Sequence, residues 1–151
     1  MNDVSDEVQN VLVAEDDDDD FELFANAVSD LSLKIILERA SNGDVLMKIL
    51  HERIPDMLFL DILMPCKDGR DCVFEIRSER KFDGLPIIVF SSVRDADSIE
   101  FFYRHSTNLY VFKPHSYSEL VKSLEKIFGV NWKEVRYYPK YSDYVLDPSL
   151  K

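Results

Sequence analysis

The chain has 151 residues, enough for one domain with a core of its own. Its 46% hydrophobic and 31% charged residues are ordinary for a globular protein. The net charge is −11, and the first twenty residues hold nine acids and no Lys or Arg. That balance argues against non-specific binding to nucleic acid or anionic lipid, which needs basic patches, and it is compatible with a cation site. No apolar run reaches the ~18 residues of a membrane helix, and the N-terminus carries no basic or apolar signal region. Cys66 and Cys72 read as reduced thiols of a cytoplasmic protein.

In chain order, five strand-plus-helix units are predicted. Val11-Leu12-Val13-Ala14 is a continuous apolar run of the kind buried on both faces of a parallel sheet. After the acidic stretch from Glu15 to Asp20, Phe21, Phe24, Ala25, Val28 and Leu31 recur at helical spacing. Leu33 to Leu37 reads as a second strand, and Asn42-Gly43-Asp44 opens a short helix bearing Val45, Leu46, Ile49 and Leu50. Met57 to Leu60 is the third strand. Asp68-Gly69 opens a helix with Cys72, Val73 and Ile76 that ends near Asp83-Gly84. Ile87 to Phe90, a helix over Asp95 to Arg104, and the strand Leu109 to Phe112 follow. Ser116 with Glu119 forms a capping box for a last helix marked by Leu120, Val121, Leu124, Ile127 and Phe128, which stops at Gly129. Alternation in units of this length implies right-handed crossovers and helices on both faces of the sheet. The strand order does not follow from the pattern.

The strands deliver chemistry at their carboxyl ends. Glu15 and Asp16 follow the first, Asp61 the third, Ser91 the fourth and Lys113 the fifth. That edge is where open parallel α/β sheets place their sites, and a carboxylate closing an apolar strand is costly unless something there uses it. Three carboxylates in one crevice repel each other unless a cation sits among them. Mg²⁺ suits a few carboxylates completed by waters or phosphate oxygens. With the Lys113 ammonium and the Ser91 hydroxyl, the set suits phosphoryl transfer to a carboxylate. There is no Gly-rich phosphate loop, zinc-type Cys/His spacing or nucleophile elbow. His51, His105 and His115 have no evident base or ligand partner, which disfavours a triad hydrolase.

Four stretches carry a resemblance: LVAEDD at Leu12–Asp17, LFLDILMPCKDG at Leu58–Gly69, PIIVFSS at Pro86–Ser92 and YVFKP at Tyr110–Pro114. In this order they resemble the receiver domain of two-component response regulators, of the stand-alone, chemotaxis-regulator-like kind, over about residues 10–128. The resemblance implies an α/β, flavodoxin-like, doubly wound sheet of five parallel strands in the order 2-1-3-4-5. It implies that Asp61 accepts phosphate from a histidine kinase or a phosphotransfer protein. Mg²⁺ or Mn²⁺ would be held by Asp16, Asp61 and the backbone carbonyl of Leu63, with Glu15 acting through water. Lys113 and Ser91 would complete the catalytic set. Ser91 and Tyr110 would form the switch, Ser91 moving to the phosphoryl group and Tyr110 turning inward behind it. Three positions depart from the family's habit: Cys66 replaces a usual glycine, Asp18 a frequent proline, and His105 to Asn108 the common small residues.

These readings divide the chain into an acidic lead (1–9), a receiver (10–129) and an aromatic extension (130–151) that is not a separate domain. Trp132, Val135, Tyr137, Tyr138, Tyr141, Tyr144, Val145 and Leu146 crowd apolar surface into the extension. It is expected either to fold back on its own domain or to build a homodimer with the last helix. A stand-alone receiver implies output through an unknown downstream protein, without direct DNA binding or membrane attachment. It is a phosphoacceptor rather than an enzyme, apart from slow autodephosphorylation. Two alternatives stand beside this reading. A phosphatase of the haloacid dehalogenase type needs an aspartate two residues after Asp61, where Leu63 stands. A pseudo-receiver would bind partners without accepting phosphate, yet every reactive group is present.

Overall fold

The computed structural model describes residues 7–134 and 139–150. The described strands are β1 (Gln9–Ala14), β2 (Ile35–Ala40), β3 (Met57–Leu60), β4 (Ile87–Ser91), β5 (Leu109–Phe112) and β6 (Val145–Leu146). The helices are α1 (Asp18–Ser29), α2 (Gly43–Glu52), α3 (Gly69–Arg77), α4 (Ala96–Arg104), α5 (Tyr117–Phe128) and the single turn α6 (Tyr141–Tyr144). All strand pairings are parallel, in the order β2-β1-β3-β4-β5-β6. The expected order 2-1-3-4-5 is therefore present and gains a sixth strand from the C-terminal extension.

Alternation along the central strands builds two cores. Leu12, Ala14, Leu58, Leu60 and Val89 face α2, α3 and α4, meeting Leu46, Leu50, Val73, Ile76 and Phe102. Val11, Val13, Phe59, Ile88 and Val111 face α1 and α5, meeting Phe24, Val28, Leu124 and Phe128. Helix starts follow local chemistry: Asp17, Asn42, Asp68, Asp95 and Ser116 each accept a hydrogen bond from a first-turn amide.

Three boundaries differ from the sequence reading. β2 spans Ile35–Ala40 rather than Leu33–Leu37, because its pairing with β1 runs from Gln9↔Ile35 to Ala14↔Ala40. On this edge strand Glu38 and Arg39 sit among the paired positions, so apolar content understates its length. α3 stops at Arg77, and a separate 3₁₀ turn, Arg80–Phe82, carries the chain to Gly84. At the helix end Ser78 caps the last turn, and the Arg77 guanidinium ties it to the carbonyls of Ser106, Phe82 and Leu85 at 2.7–3.0 Å. The extension, which showed no period, supplies α6 and β6. Val135, Tyr137 and Tyr138 lie outside the described residues.

The loop after β3 is held tightly. Gly69 N–H donates to the Ile62 carbonyl at 2.8 Å, and a Cβ on Gly69 would lie 2.7 Å from the Asp61 carbonyl oxygen. Cys66 has φ 70°, the left-handed region that favours glycine. That backbone accounts for the glycine usual there in the resembled family.

Candidate functional site

The termini of β1 and β3 bring the acids together. Asp61 N–H donates to the Ala14 carbonyl at 3.0 Å, which sets Asp61 beside Glu15 and Asp16 at the carboxyl edge. One carboxylate oxygen from each of the three lies within 4.8 Å of the others. Glu15 and Asp61 are only 4% and 7% exposed, whereas Asp16 faces solvent. Asp61 Oδ1 accepts from Ile62 N–H at 2.7 Å, which fixes its carboxylate plane.

Lys113 enters this cluster from the end of β5. Its Nζ donates to Asp61 Oδ2 at 2.8 Å, to both Glu15 oxygens at 3.1 Å and to Asp20 Oδ2 at 2.8 Å. Its own N–H donates to the Ser91 carbonyl at 2.9 Å. Asp20 was not among the candidate residues. In sequence it is one member of an acidic run at a helix start, where acids ordinarily just favour the dipole. Its partner lies 93 residues away. Arg39 was also missed: its Nε donates to the Glu15 carbonyl at 2.9 Å and its guanidinium pairs with Asp18 at 2.7 Å.

Electrostatics follow from crowding. Burial, reinforced by the neighbouring Asp61, pushes the Glu15 carboxyl up to about 8 although Lys113 opposes the rise. Burial alone would lower the Lys113 ammonium, but Asp61, Asp20 and Glu15 outweigh it and hold the amine well above its ordinary range. Lys113 is thus a fixed positive charge. The hard oxygens of Asp16, Asp61 and Glu15 fit a divalent cation of the Mg²⁺ or Mn²⁺ type.

Ser91 is buried at the end of β4, and its Oγ accepts from Val93 N–H at 3.2 Å. Tyr110 is already turned inward. Its ring is fully buried beside Phe102, Phe112 and Tyr144, and its hydroxyl donates to the Val93 carbonyl at 2.6 Å. An inward turn of Tyr110 therefore cannot be the motion that starts from this arrangement. Leu63 lies two residues past Asp61 with its side chain exposed. His51 and His105 each use Nδ1 on a carbonyl of their own helix, those of Met47 and Phe101, and stand apart from the cluster.

The doubly wound parallel sheet and its acidic carboxyl edge define a flavodoxin-like α/β protein. Residues 11–125 match the response regulator receiver domain family, and the chain belongs to that family, the receivers of two-component systems. Response regulator Rcp1 of Synechocystis sp. is 24% identical over 134 residues, covering 84% of this chain and 91% of Rcp1. The crystal structure of the Mn(2+)-bound form of Rcp1 matches with a TM-score of 0.74 at 23% identity, over 87% of this chain and 99% of that one. The phosphorylated cyanobacterial phytochrome response regulator RcpA matches with a TM-score of 0.78 at 24% identity, over 89% and 100%. The probable C4-dicarboxylate response regulator DctR of Bacillus subtilis is 30% identical over 116 residues, covering 77% of this chain and 50% of DctR. The chain thus spans half the length of DctR. The two solved structures, at these identities, speak for the fold.

Proposed function

We propose that the chain is a phosphorelay switch that takes a phosphoryl group on Asp61 from a histidine kinase or a phosphotransfer protein. The observation that carries this reading is the Asp61 carboxylate held by Lys113 at 2.8 Å, with Glu15 and Asp16 oxygens inside the same 4.8 Å cluster. An Asp61 oxygen attacks the phosphorus of a phosphohistidine. The new O–P bond forms as the N–P bond breaks, and the imidazole leaves with the electron pair. A divalent cation on Asp16, Asp61 and the Leu63 carbonyl, with Glu15 through water, would neutralise the phosphoryl oxygens. Lys113 holds the acceptor carboxylate and then the acyl phosphate formed on it. Ser91 Oγ, which accepts from Val93 N–H, would turn to a phosphoryl oxygen, and Tyr110 would read that change through the Val93 carbonyl.

The output is a protein–protein contact in the cytoplasm. No helix of the described residues is long and apolar enough to cross a membrane. Among the described residues Tyr144 is buried, Trp132 is half-buried and Val145–Leu146 pair with β5, which supports an extension that folds back on its own domain, while exposed Tyr141 leaves aromatic surface for a homodimer. Incubation with a small acyl-phosphate donor and Mg²⁺, followed by intact mass measurement, should add one phosphate, absent in Asp61→Asn. Full labelling of Asp61→Asn would overturn the assignment.

A further inference from the structure

Lys113 has more anionic partners than phosphoryl transfer to Asp61 requires. An ammonium carries three N–H donors. One goes to Asp61 Oδ2 at 2.8 Å, one to the Glu15 carboxylate at 3.1 Å from each oxygen, and one to Asp20 Oδ2 at 2.8 Å. No donor is left over for a further anion. The cavity that these four side chains share has a volume of about 10 Å³, room for a single water at most. A phosphoryl oxygen therefore reaches the amine only when one of the three carboxylates gives way.

Burial decides which one yields. The Glu15 and Asp61 side chains are 5% and 8% exposed, so either would be left inside the protein without its charge partner. That of Asp20 is 45% exposed. Asp20 stands in the first turn of α1, where its N–H donates to the capping Asp17 Oδ1 at 2.8 Å. The backbone is thus held while the carboxylate is free to turn to water. A pair with one partner so exposed contributes little to stability, and Glu15 and Asp61 suffice to keep Lys113 in the crevice. Asp20 is the acceptor whose departure costs least.

We propose that Asp20 is a placeholder anion: its carboxylate occupies the Lys113 donor that a phosphoryl group on Asp61 takes over. The inference rests on the phosphoacceptor reading for the identity of the incoming anion. As the phosphoryl group arrives, the Asp20 carboxylate swings to solvent and the freed N–H turns to a phosphoryl oxygen. Two effects then oppose phosphorylation in the wild type. The Asp20–Lys113 contact is lost, and the Asp20 charge repels the phosphoryl charge beside it. Asp20 acts through Lys113 and sets how readily the site is loaded. Damage to the site would weaken anion binding, whereas removing a placeholder strengthens it.

Calorimetry of beryllofluoride binding to the full chain in saturating Mg²⁺ tests this, because that anion mimics a phosphoryl group on a carboxylate. Asp20→Ala should bind it about fivefold tighter than the wild type. Asp20→Asn, which keeps a neutral acceptor for Lys113, should bind about threefold tighter. Asp19, exposed in the same acidic run, forms no ion pair with Lys113. Asp19→Asn removes the same charge and should stay within about 1.5-fold of the wild type. Phosphate uptake from acetyl phosphate, timed by intact mass, should quicken in the same order. Unchanged or weaker beryllofluoride binding in both Asp20 variants, with the wild type still binding, overturns the placeholder alone. Equal tightening in Asp19→Asn overturns it too, by tracing the effect to the acidic run as a whole. Binding in none of the chains, with no phosphate uptake by the wild type, refutes the phosphoacceptor reading and the placeholder with it.

Discussion

Replacing Lys113 by Met removes the ammonium that Asp61, Glu15 and Asp20 share. Two of those carboxylates are buried, and stripping a buried ion pair of one partner costs about 3–5 kcal/mol. The Asp20 share adds little, because that side chain is half-exposed and screened by water. The loss depends on pH in a direction the site dictates. The folded-state Glu15 carboxyl is raised from 4.5 to about 8. Its protonation therefore stabilises the fold fully below its unfolded value, and that stability is lost as pH rises through 8. Lys113 now restrains the rise, so without the amine the carboxyl climbs further and more is lost on the alkaline side. Lys113 itself, raised in the fold, contributes throughout this window and fails only above its own folded value. Urea unfolding followed by far-UV circular dichroism is the assay. The deficit should be about 2 kcal/mol near pH 6, where Glu15 is protonated, and larger by up to about 0.8 kcal/mol near pH 8.5, half a unit above the wild-type Glu15 value. Mg²⁺ at ~100 times its dissociation constant should return about 2.7 kcal/mol by binding only the folded chain. Equal deficits at the two pH values, or a deficit below ~1 kcal/mol at both, would refute the reasoning.

Other expectations follow from single contacts. Asp16→Ala removes one hard oxygen from the cluster and should weaken Mg²⁺ binding, measured by calorimetry, at least ~10-fold. Cys66→Gly relieves a left-handed backbone at φ 70°. It should raise unfolding free energy by about 0.5–1 kcal/mol after the entropy of glycine is set against the relief. Gly69→Ala would place a Cβ within 3 Å of the Asp61 carbonyl and Ile62 Cα, both backbone atoms. It should cost about 1–3 kcal/mol, with a matching fall in urea midpoint and slower phosphate uptake at Asp61.

Much of this protein was legible from local pattern. Continuous apolar runs at Val11–Ala14, Met57–Leu60 and Ile87–Phe90 identify strands buried on both faces. The residue ending each run identifies the edge site, because a period-2 strand and a carboxyl-end crevice are properties of short segments. Glu15, Asp16, Asp61 and Lys113 do meet there. Other features were decided only by tertiary structure. Asp20 became part of the site through an amine 93 residues distant, and Arg77 ties the end of α3 to three carbonyls of other turns. Tyr110 was found already inside, because Tyr144 and the Val93 carbonyl hold it there. The extension became a sixth strand although two residues are too few to show any period. Pairing with β5 and burial of one tyrosine supply the free energy, and both exist only once the rest of the sheet is in place.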